Sequence, residues 1–406
     1  MTDTTTPAWL TIVGIGEDGL DGLSPAARRA IDQAELLVGG RRHLTLAGVS
    51  EARSLAWPSP LHGAFPTILA RRGRPVVVLA SGDPFYHGVG SLIAALVPAE
   101  EMTVLPAPSS YALAAACLGW AGQDCIRVSL HGRRIETVLP HLAPGARLFA
   151  LSWDGDTPAR LAALLLARGM GDSRLTVLEA LGGPRQRRRS ALARDFDLAG
   201  IDPLNLVAVE VVADADARLL PRAPGLPDDW FEHDGQITKR EVRALTLSAL
   251  APRRGGRLWD VGAGSGSVAI EWMLADPACS AIAIEENADR AARLARNAAA
   301  FGVPELAVVT GKAPAALAGL PSPDAIFIGG GAGDAGVMAA CLEGLKPGGR
   351  LVINAVTVET QTDVIARQAR LGGDLVQISL SRLDRLGSFH ALRPALPILQ
   401  WTWEKR

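Results

Sequence analysis

Short aliphatic and β-branched runs alternate with longer Ala/Leu/Arg segments along almost the whole chain, the signature of strand-helix-strand units. In the first half, Leu10 to Gly14, Leu36 to Val38, Val76 to Ala80, Met102 to Leu105, Arg127 to Leu130, Leu148 to Leu151, Leu175 to Glu179 and Leu206 to Val212 predict strands. Helices are expected between them at Pro25 to Ala34, Val89 to Leu96, Tyr111 to Leu118 and Pro158 to Ala167. Pro221, Pro224, Gly225 and Pro227 then interrupt any regular pattern, so residues 214–228 read as a linker between a domain at 1–213 and another at 229–406. The second half opens with a helix from about Lys239 to Leu250. Strands follow at Arg257 to Val261, Ala281 to Glu285, Ala307 to Thr310, Asp324 to Ile328 and Arg350 to Asn354, which makes a second doubly wound sheet. Trp401 and Trp403 alternate at strand spacing and are expected in sheet packing. No internal repeat relates the halves, so two unlike α/β domains are expected.

Composition narrows the function classes. With 41 Lys and Arg against 42 Asp and Glu, the formal charge of −1 provides no field for a polyanion, and nucleic acid is not an expected partner. The longest apolar stretches, such as Ala112 to Gly122, fall short of the roughly 18 residues a membrane span needs. Asp3 stands among threonines with no basic and then apolar region, so no secretory signal is read and the cytoplasm is the expected compartment. Cys117, Cys125, Cys279 and Cys341 lack Cys-x-x-Cys spacing, and the seven histidines lack ligand spacing, so no metal site is expected.

The strongest local signal is Asp260-Val261-Gly262-Ala263-Gly264-Ser265-Gly266, between the strand at Arg257 to Val261 and a helix opening near Ser267. Glycines at alternate positions let the backbone turn tightly and approach a ligand, and the helix start offers free amides. The next strand ends in Glu285, placed to accept both hydroxyls of a ribose. A dinucleotide fingerprint requires Gly-x-Gly-x-x-Gly for pyrophosphate, whereas this loop is Gly-x-Gly-x-Gly after an acid; Asp260 would repel pyrophosphate but interact favourably with an ammonium or sulfonium centre. The alternative is a glycine-rich turn that only connects strand to helix.

That loop resembles the first motif of class I methyltransferases that use S-adenosylmethionine. Gln236 to Arg243, Gly311-Lys312-Ala313-Pro314, Phe327 to Gly331 and Leu345 to Thr360 extend the resemblance to the precorrin C15 methyltransferase/decarboxylase family of cobalamin biosynthesis, over about residues 229 to 400. It implies a cofactor pocket of Thr238 near the methionine part, Gly262, Ala263, Gly264, Ser265 and Gly266 as the loop, Glu285 on the ribose and Ala313 beside the adenine. Lys312 departs from the acid that relatives often carry there, and Arg393-Pro394 from their Arg-Asn-Pro.

In the first half, Ser81-Gly82-Asp83-Pro84-Phe85-Tyr86-His87-Gly88 follows a buried strand at the end where open α/β sheets place ligands. Asp83-Pro84 is a turn former, so a plain loop remains the alternative. With Val13 to Gly19, Gly39 to Leu44 and Pro106-Ala107-Pro108-Ser109-Ser110, the motif resembles the tetrapyrrole methylase superfamily; Ser129 to Arg133 and Leu181 to Pro184 narrow it to the precorrin C5 methyltransferase branch. The resemblance implies cofactor contacts at Gly14, Gly16, Gly82, Asp83 and Ser109, with Ala107 departing from a common glycine. The expected architecture is therefore a tetrapyrrole-methylase-type α/β domain of two subdomains followed by a class I Rossmann-like methyltransferase domain. Two such families in one chain resemble a fused bifunctional enzyme, one S-adenosylmethionine per domain, which methylates carbons 5 and 15 of a precorrin and decarboxylates its ring C acetate. The runner-up is a fusion acting on a different tetrapyrrole with one domain active.

Precorrins are polycarboxylates, so cations near the clefts become candidates for substrate binding: Arg41, Arg42, Arg133 and Arg134 beside family motifs, and Arg382 and Arg385 in the second domain. The run Arg185-Gln186-Arg187-Arg188-Arg189 reads either as a solvated basic turn or as a substrate contact. His87 and His131 can shuttle protons or serve as structural hydrogen-bonding groups. Asn354 and Glu359 are candidates for orienting the macrocycle; no catalytic acid or base is assigned. The expected partners are the precorrin and further copies of the chain in a homo-oligomer, not a membrane.

Overall fold

In the computed structural model, which describes residues 8–406, the chain divides into two compact units. One comprises the chain up to Ile135 with His141–Arg218, the other Leu219–Arg406 with Glu136–Pro140. Residues 1–7, on which the reading of the N-terminus partly rests, lie outside the described residues.

The first unit holds two sheets. Strands β1 (Leu10–Ile15), β2 (Leu36–Gly39), β3 (Ser54–Ala56), β4 (Val76–Ser81) and β5 (Met102–Leu105) alternate with helices α1 (Pro25–Gln33), α2 (Arg41–Leu46), α3 (Phe65–Leu69) and α4 (Gly90–Ala94). They form a parallel sheet in the order β3-β2-β4-β1-β5. Both faces are covered, which is why Val76 to Ala80 is apolar at every position rather than at alternate ones. Helix α5 (Ser110–Leu118) leads into β6 (Cys125–Ser129), β7 (Arg147–Leu151), α6 (Thr157–Ala167), β8 (Arg174–Glu179), β9 (Arg187–Leu192) and β10 (Asn205–Glu210), a mixed sheet in the order β6-β7-β10-β8-β9. Tyr111 and Ala114 of α5 pack on Phe149, Leu178, Leu206 and Ala208 of that sheet.

Strand β9 corrects the reading of the arginine run as a turn. Arg187 and Arg189 lie on this edge strand, where both donate to the fully buried carboxylate of Glu179, from Nε at 2.9 and 3.0 Å. Arg185 pairs with Asp202 at 2.5 Å. A sequence scan sees the cations but not the acids that neutralise them across the sheet.

The second unit carries helices α7 (Arg240–Leu250), α8 (Ser267–Ala275), α9 (Ala288–Ala300), α10 (Ala335–Gly344) and α11 (Val358–Leu371). Its sheet is built from β11 (Arg257–Val261), β12 (Ser280–Glu285), β13 (Ala307–Thr310), β14 (Ala325–Ile328), β15 (Arg350–Ala355), β16 (Asp374–Ile378) and β19 (Ile398–Glu404), in the order β13-β12-β11-β14-β15-β19-β16. Trp401 on β19 is fully buried, as its strand spacing predicts, and β19 runs antiparallel to β15 and β16. Strands β17 (Ser381–Leu386) and β18 (Phe389–Pro394) form a separate hairpin exposed along its whole length.

The proline-rich stretch is not free chain throughout. Leu226 belongs to the second core, and the amides of Gly225 and Leu226 donate to Glu271 at 2.6 and 2.9 Å. Glu271 in turn accepts from Arg243 Nε at 2.6 Å, and both charged groups are buried. Breaks in periodicity mark where regular structure stops, not where packing stops.

Candidate functional site

In the second unit the β11-to-α8 turn has Gly262, Gly264 and Gly266 all at positive φ. An added Cβ at Gly262 would lie 2.9 Å from the amide nitrogen of Gly330, and one at Gly266 2.5 Å from Leu294 Cγ, so these two glycines allow chain to meet chain. At Gly264 a Cβ meets only Gln236 O, at 3.3 Å. The middle glycine therefore keeps an open face for a ligand. Glu285, at the end of β12, is buried; Oε2 accepts from Gly264 N at 2.8 Å and Oε1 from Asn287 N at 3.0 Å. Two backbone amides thus aim the carboxylate, and each oxygen keeps a lone pair for a hydroxyl.

Asp260 behaves differently from the expectation of an anion facing a sulfonium. It is buried, Oδ2 accepts from Ala269 N in the first turn of α8 at 3.1 Å, and Oδ1 has no partner. Burial, with the Glu285 charge adding to it, pushes its carboxyl up to about 7 against the pull of the Ala269 amide. Ser265 Oγ is likewise buried without a partner. Orphaned polar atoms under a glycine turn with one open face, beside a pre-aimed carboxylate, fit a ribose-bearing sulfonium cofactor.

The remaining candidates of this unit lie outside the turn. Thr238 is half-buried and its carbonyl accepts from Arg243 Nη1 at 2.6 Å; Ala313, half-buried, packs against the core beneath β13 and β14. Asn354, at the end of β15, is held between Thr246 and Gln400: its Nδ2 donates to Thr246 Oγ1 at 2.8 Å and its Oδ1 accepts from Gln400 Nε2 at 2.9 Å. Glu359 is exposed in the first turn of α11. Arg382 lies on the exposed hairpin and pairs with Glu241.

In the first unit a cleft of about 570 Å³ gathers Gly16, Arg42, Gly82, Asp83, His87, Ser109 and His131 from five separate segments. Gly82 has positive φ, and a Cβ there would lie 2.8 Å from Pro108 O. Asp83 Oδ1 accepts from Phe85 N at 2.9 Å, which fixes the turn, and Ser109 Oγ caps α5 through Ala112 N at 3.2 Å. Gly14 is not in the lining. A Cβ there would fall 1.9 Å from Gly82 O and 2.5 Å from Ala107 N, so it lets two backbones cross beneath the cleft. Arg41 and Arg133 are exposed and also outside the lining. His87 and His131 are exposed in the lining, His131 with its ring 6.2 Å from Trp153.

Three lining residues were not singled out by sequence reasoning. Glu17, with a side chain only 9% exposed, pairs with Arg42 and, at 3.2 Å, with Arg185. His43 Nε2 lies 2.9 Å from Ser81 Oγ. All three stand within the family motifs, and their position at or just past strand ends was the available signal.

Among the described residues no helix is long and apolar enough to cross a membrane, and no group of three or more His, Cys, Asp or Glu could hold a metal ion. The tetrapyrrole (corrin/porphyrin) methylase family matches residues 9–197, and the precorrin methyltransferase domain matches residues 229–405. A precorrin-6Y C(5,15)-methyltransferase (decarboxylating) of Sinorhizobium sp is 56% identical over 400 residues, covering 98% of this chain and 96% of the relative. One of the same name from Mycobacterium tuberculosis is 42% identical over 403 residues, 98% of this chain and 100% of the relative. The cobalt-precorrin-6B C(15)-methyltransferase (decarboxylating) of Salmonella typhimurium is 38% identical over 166 residues, 40% of this chain and 85% of the relative. With two unlike methyltransferase units in this order and near full-length identity at that level, the chain belongs to the precorrin-6Y C(5,15)-methyltransferase (decarboxylating) family.

Proposed function

We propose that the chain methylates carbons 5 and 15 of a precorrin and removes the ring C acetate carboxylate as carbon dioxide, the first unit serving carbon 5 and the second carbon 15 with decarboxylation. The observation that carries this reading is that one chain holds two unlike units, each matching a methyltransferase family, one with a cleft lined by its motif residues and the other with a glycine turn beside the Glu285 carboxylate. S-adenosylmethionine, bound once per unit, would supply an electrophilic methyl on a sulfonium. In the second unit Gly262, Ala263, Gly264, Ser265, Gly266, Glu285, Thr238 and Ala313 would hold it, the carboxylate of Glu285 on the ribose. In the first, Gly16, Gly82, Asp83 and Ser109 would do so, with Gly14 acting beneath them.

Methyl transfer to an enamine-like carbon needs alignment at near-attack distance more than a strong base. The fixed turns at Asp83 and Gly264 serve that need. Decarboxylation needs an electron sink, which a protonated ring imine of the substrate supplies; Asn354, its amide held by Thr246 and Gln400, would orient the macrocycle beside it. Leu383, Leu386, Phe389 and Leu392 on the exposed hairpin support a homo-oligomer, since one apolar ribbon left in water invites a second copy. Unpaired Cys117, Cys125, Cys279 and Cys341 suit a reducing compartment such as the cytoplasm.

Calorimetry with S-adenosylhomocysteine should give two binding events in the parent and one in Gly264→Val, and mass spectrometry of the product from precorrin-6Y should show two added methyl groups and one lost carboxyl. A single binding event in the parent, or a product that keeps its carboxylate, sinks the reading.

A further inference from the structure

In the lining of the first cleft, Arg42, His43 and Ser81 meet within hydrogen-bond distance. Arg42 Nη2 lies 3.1 Å from His43 Nε2 and 3.2 Å from Ser81 Oγ, while His43 Nε2 and Ser81 Oγ are 2.9 Å apart. A guanidinium can only donate, so Nε2 must accept and carries no proton. The neutral imidazole then bears its hydrogen on Nδ1, which is buried without a partner, and the single lone pair of Nε2 is shared between the Arg42 guanidinium and the Ser81 hydroxyl. Ser81 Oγ also accepts from Arg42. One lone pair is left on it, and Ser81 is exposed to the cleft. Burial and the adjacent Arg42 charge keep the ring neutral, lowering its titration to about 4, and Glu17 pairs with the other end of the guanidinium.

We propose that Ser81 Oγ accepts a hydrogen bond from a pyrrolic N–H of the macrocycle, and that His43 is the positioning residue that points the hydroxyl proton away so that this lone pair faces the cleft. This rests on the reading of the first unit as the carbon 5 methyltransferase. The new carbon–carbon bond takes its electron pair from the ring carbon, and the pair of the broken sulfur–carbon bond stays on sulfur. Positive charge thereby passes to the conjugated ring nitrogen, whose N–H becomes a stronger donor and later releases its proton to water. A lone pair already held in place favours that charged state over the ground state and raises kcat.

The full-length enzyme with precorrin-6Y tests this, carbon 15 methylation serving as the internal control. Ser81→Ala and His43→Leu should lower kcat for carbon 5 methylation about tenfold, the loss of one hydrogen bond, with cofactor affinity in calorimetry and carbon 15 methylation unchanged. Ser81→Thr and His43→Gln, which keep the hydroxyl and an acceptor, should recover most of the rate. Imidazole nitrogen NMR of the parent without ligands should show a protonated Nδ1 and a bare Nε2. The opposite tautomer, a kcat for Ser81→Ala equal to the parent, or a loss confined to cofactor affinity overturns the proposal. If the parent itself adds no methyl at carbon 5, the functional reading fails instead.

Discussion

The two candidate sites solve one binding problem with different chain economy. The site of the second unit is local: a seven-residue turn and the carboxylate one strand away, tied to each other by the Gly264 amide. That of the first unit is composite, drawing on loops after β1, β2, β4, β5, β6 and β7 that are far apart in sequence and meet only because Gly14 and Gly82 let backbones touch. A local site can tolerate change elsewhere in its unit. A composite one fails when any of several strand ends shifts.

The largest expected effect tests how local the second site is. A fragment starting at Asp228 lacks the Gly225 and Leu226 amides that satisfy Glu271, and the Leu226 carbonyl that accepts from Arg243. Leaving this buried pair incompletely partnered costs about 3 to 5 kcal/mol by analogy with broken buried ion pairs. A fragment starting at Leu219 should melt cooperatively and bind cofactor, and the shorter one should be markedly less stable in urea. Equal midpoints would mean that the proline-rich stretch contributes nothing to the second unit.

Next in size, the two units should respond to pH with opposite signs through one group each. His43 titrates near 4 when folded against an ordinary 6.5, so between those values the unfolded chain binds a proton that the folded chain does not, and stability rises with pH. Asp260 titrates near 7 when folded against 3.8, so in that window the folded chain keeps a proton the unfolded chain has released, and stability falls as pH rises. The effect is at most about 3 kcal/mol for His43 and about 4 kcal/mol for Asp260. His43→Gln should flatten the acid side of the first unit's stability profile, and Asp260→Asn should stabilise the second unit at pH 7 while leaving it unchanged near pH 4. Parallel profiles for variant and parent would contradict the burial of these groups.

The same contrast explains what could be read from sequence. Strands β1, β2 and β4 of the first sheet and β11, β12, β14 and β15 of the second were legible because burial makes them apolar almost without interruption, as at Val76 to Ala80, whereas the less buried β3 and β16 were not. The glycine turn and Glu285 were legible because one short window holds them. Strand β9 was not, since its arginines imitate a solvated turn until Glu179 is placed beside them. Nor was the hairpin β17–β18, whose residues are exposed and carry no burial pattern. His43 and Ser81 escaped notice for the same reason as Glu17: each is ordinary alone, and their chemistry exists only where three strand ends meet. Thr246 and Gln400 are hidden likewise, being ordinary core positions until Asn354 is seen between them.

Glu285→Ala sharpens the comparison at the local site. It removes a charged acceptor from the ribose and leaves the Gly264 and Asn287 amides without theirs, so cofactor affinity in the second unit should fall roughly ten- to a hundredfold, about 1.5 to 3 kcal/mol. Carbon 15 methylation and decarboxylation should then fail together under limiting cofactor, with carbon 5 methylation retained. Loss of carbon 5 methylation with both other activities at parental rates would reverse the division of labour.

Asp83→Ala should have the smallest effect, and its size probes how composite the first site is. The side chain holds its turn through one hydrogen bond, from Phe85 N at 2.9 Å, worth about 1 kcal/mol net. The turn keeps other supports: Tyr86 N donates to Asp83 O at 3.2 Å, and Gly90 N to Pro84 O at 2.9 Å. The backbone should therefore stay close to its course, the first unit should lose little stability, and carbon 5 methylation should slow severalfold while the second unit works at the parental rate. Accumulation of decarboxylated product lacking only the carbon 5 methyl, seen by mass spectrometry under limiting cofactor, is the expected outcome. Unfolding of the whole first unit by this single change would mean that its strand ends depend on one another far more tightly than these separate hydrogen bonds imply.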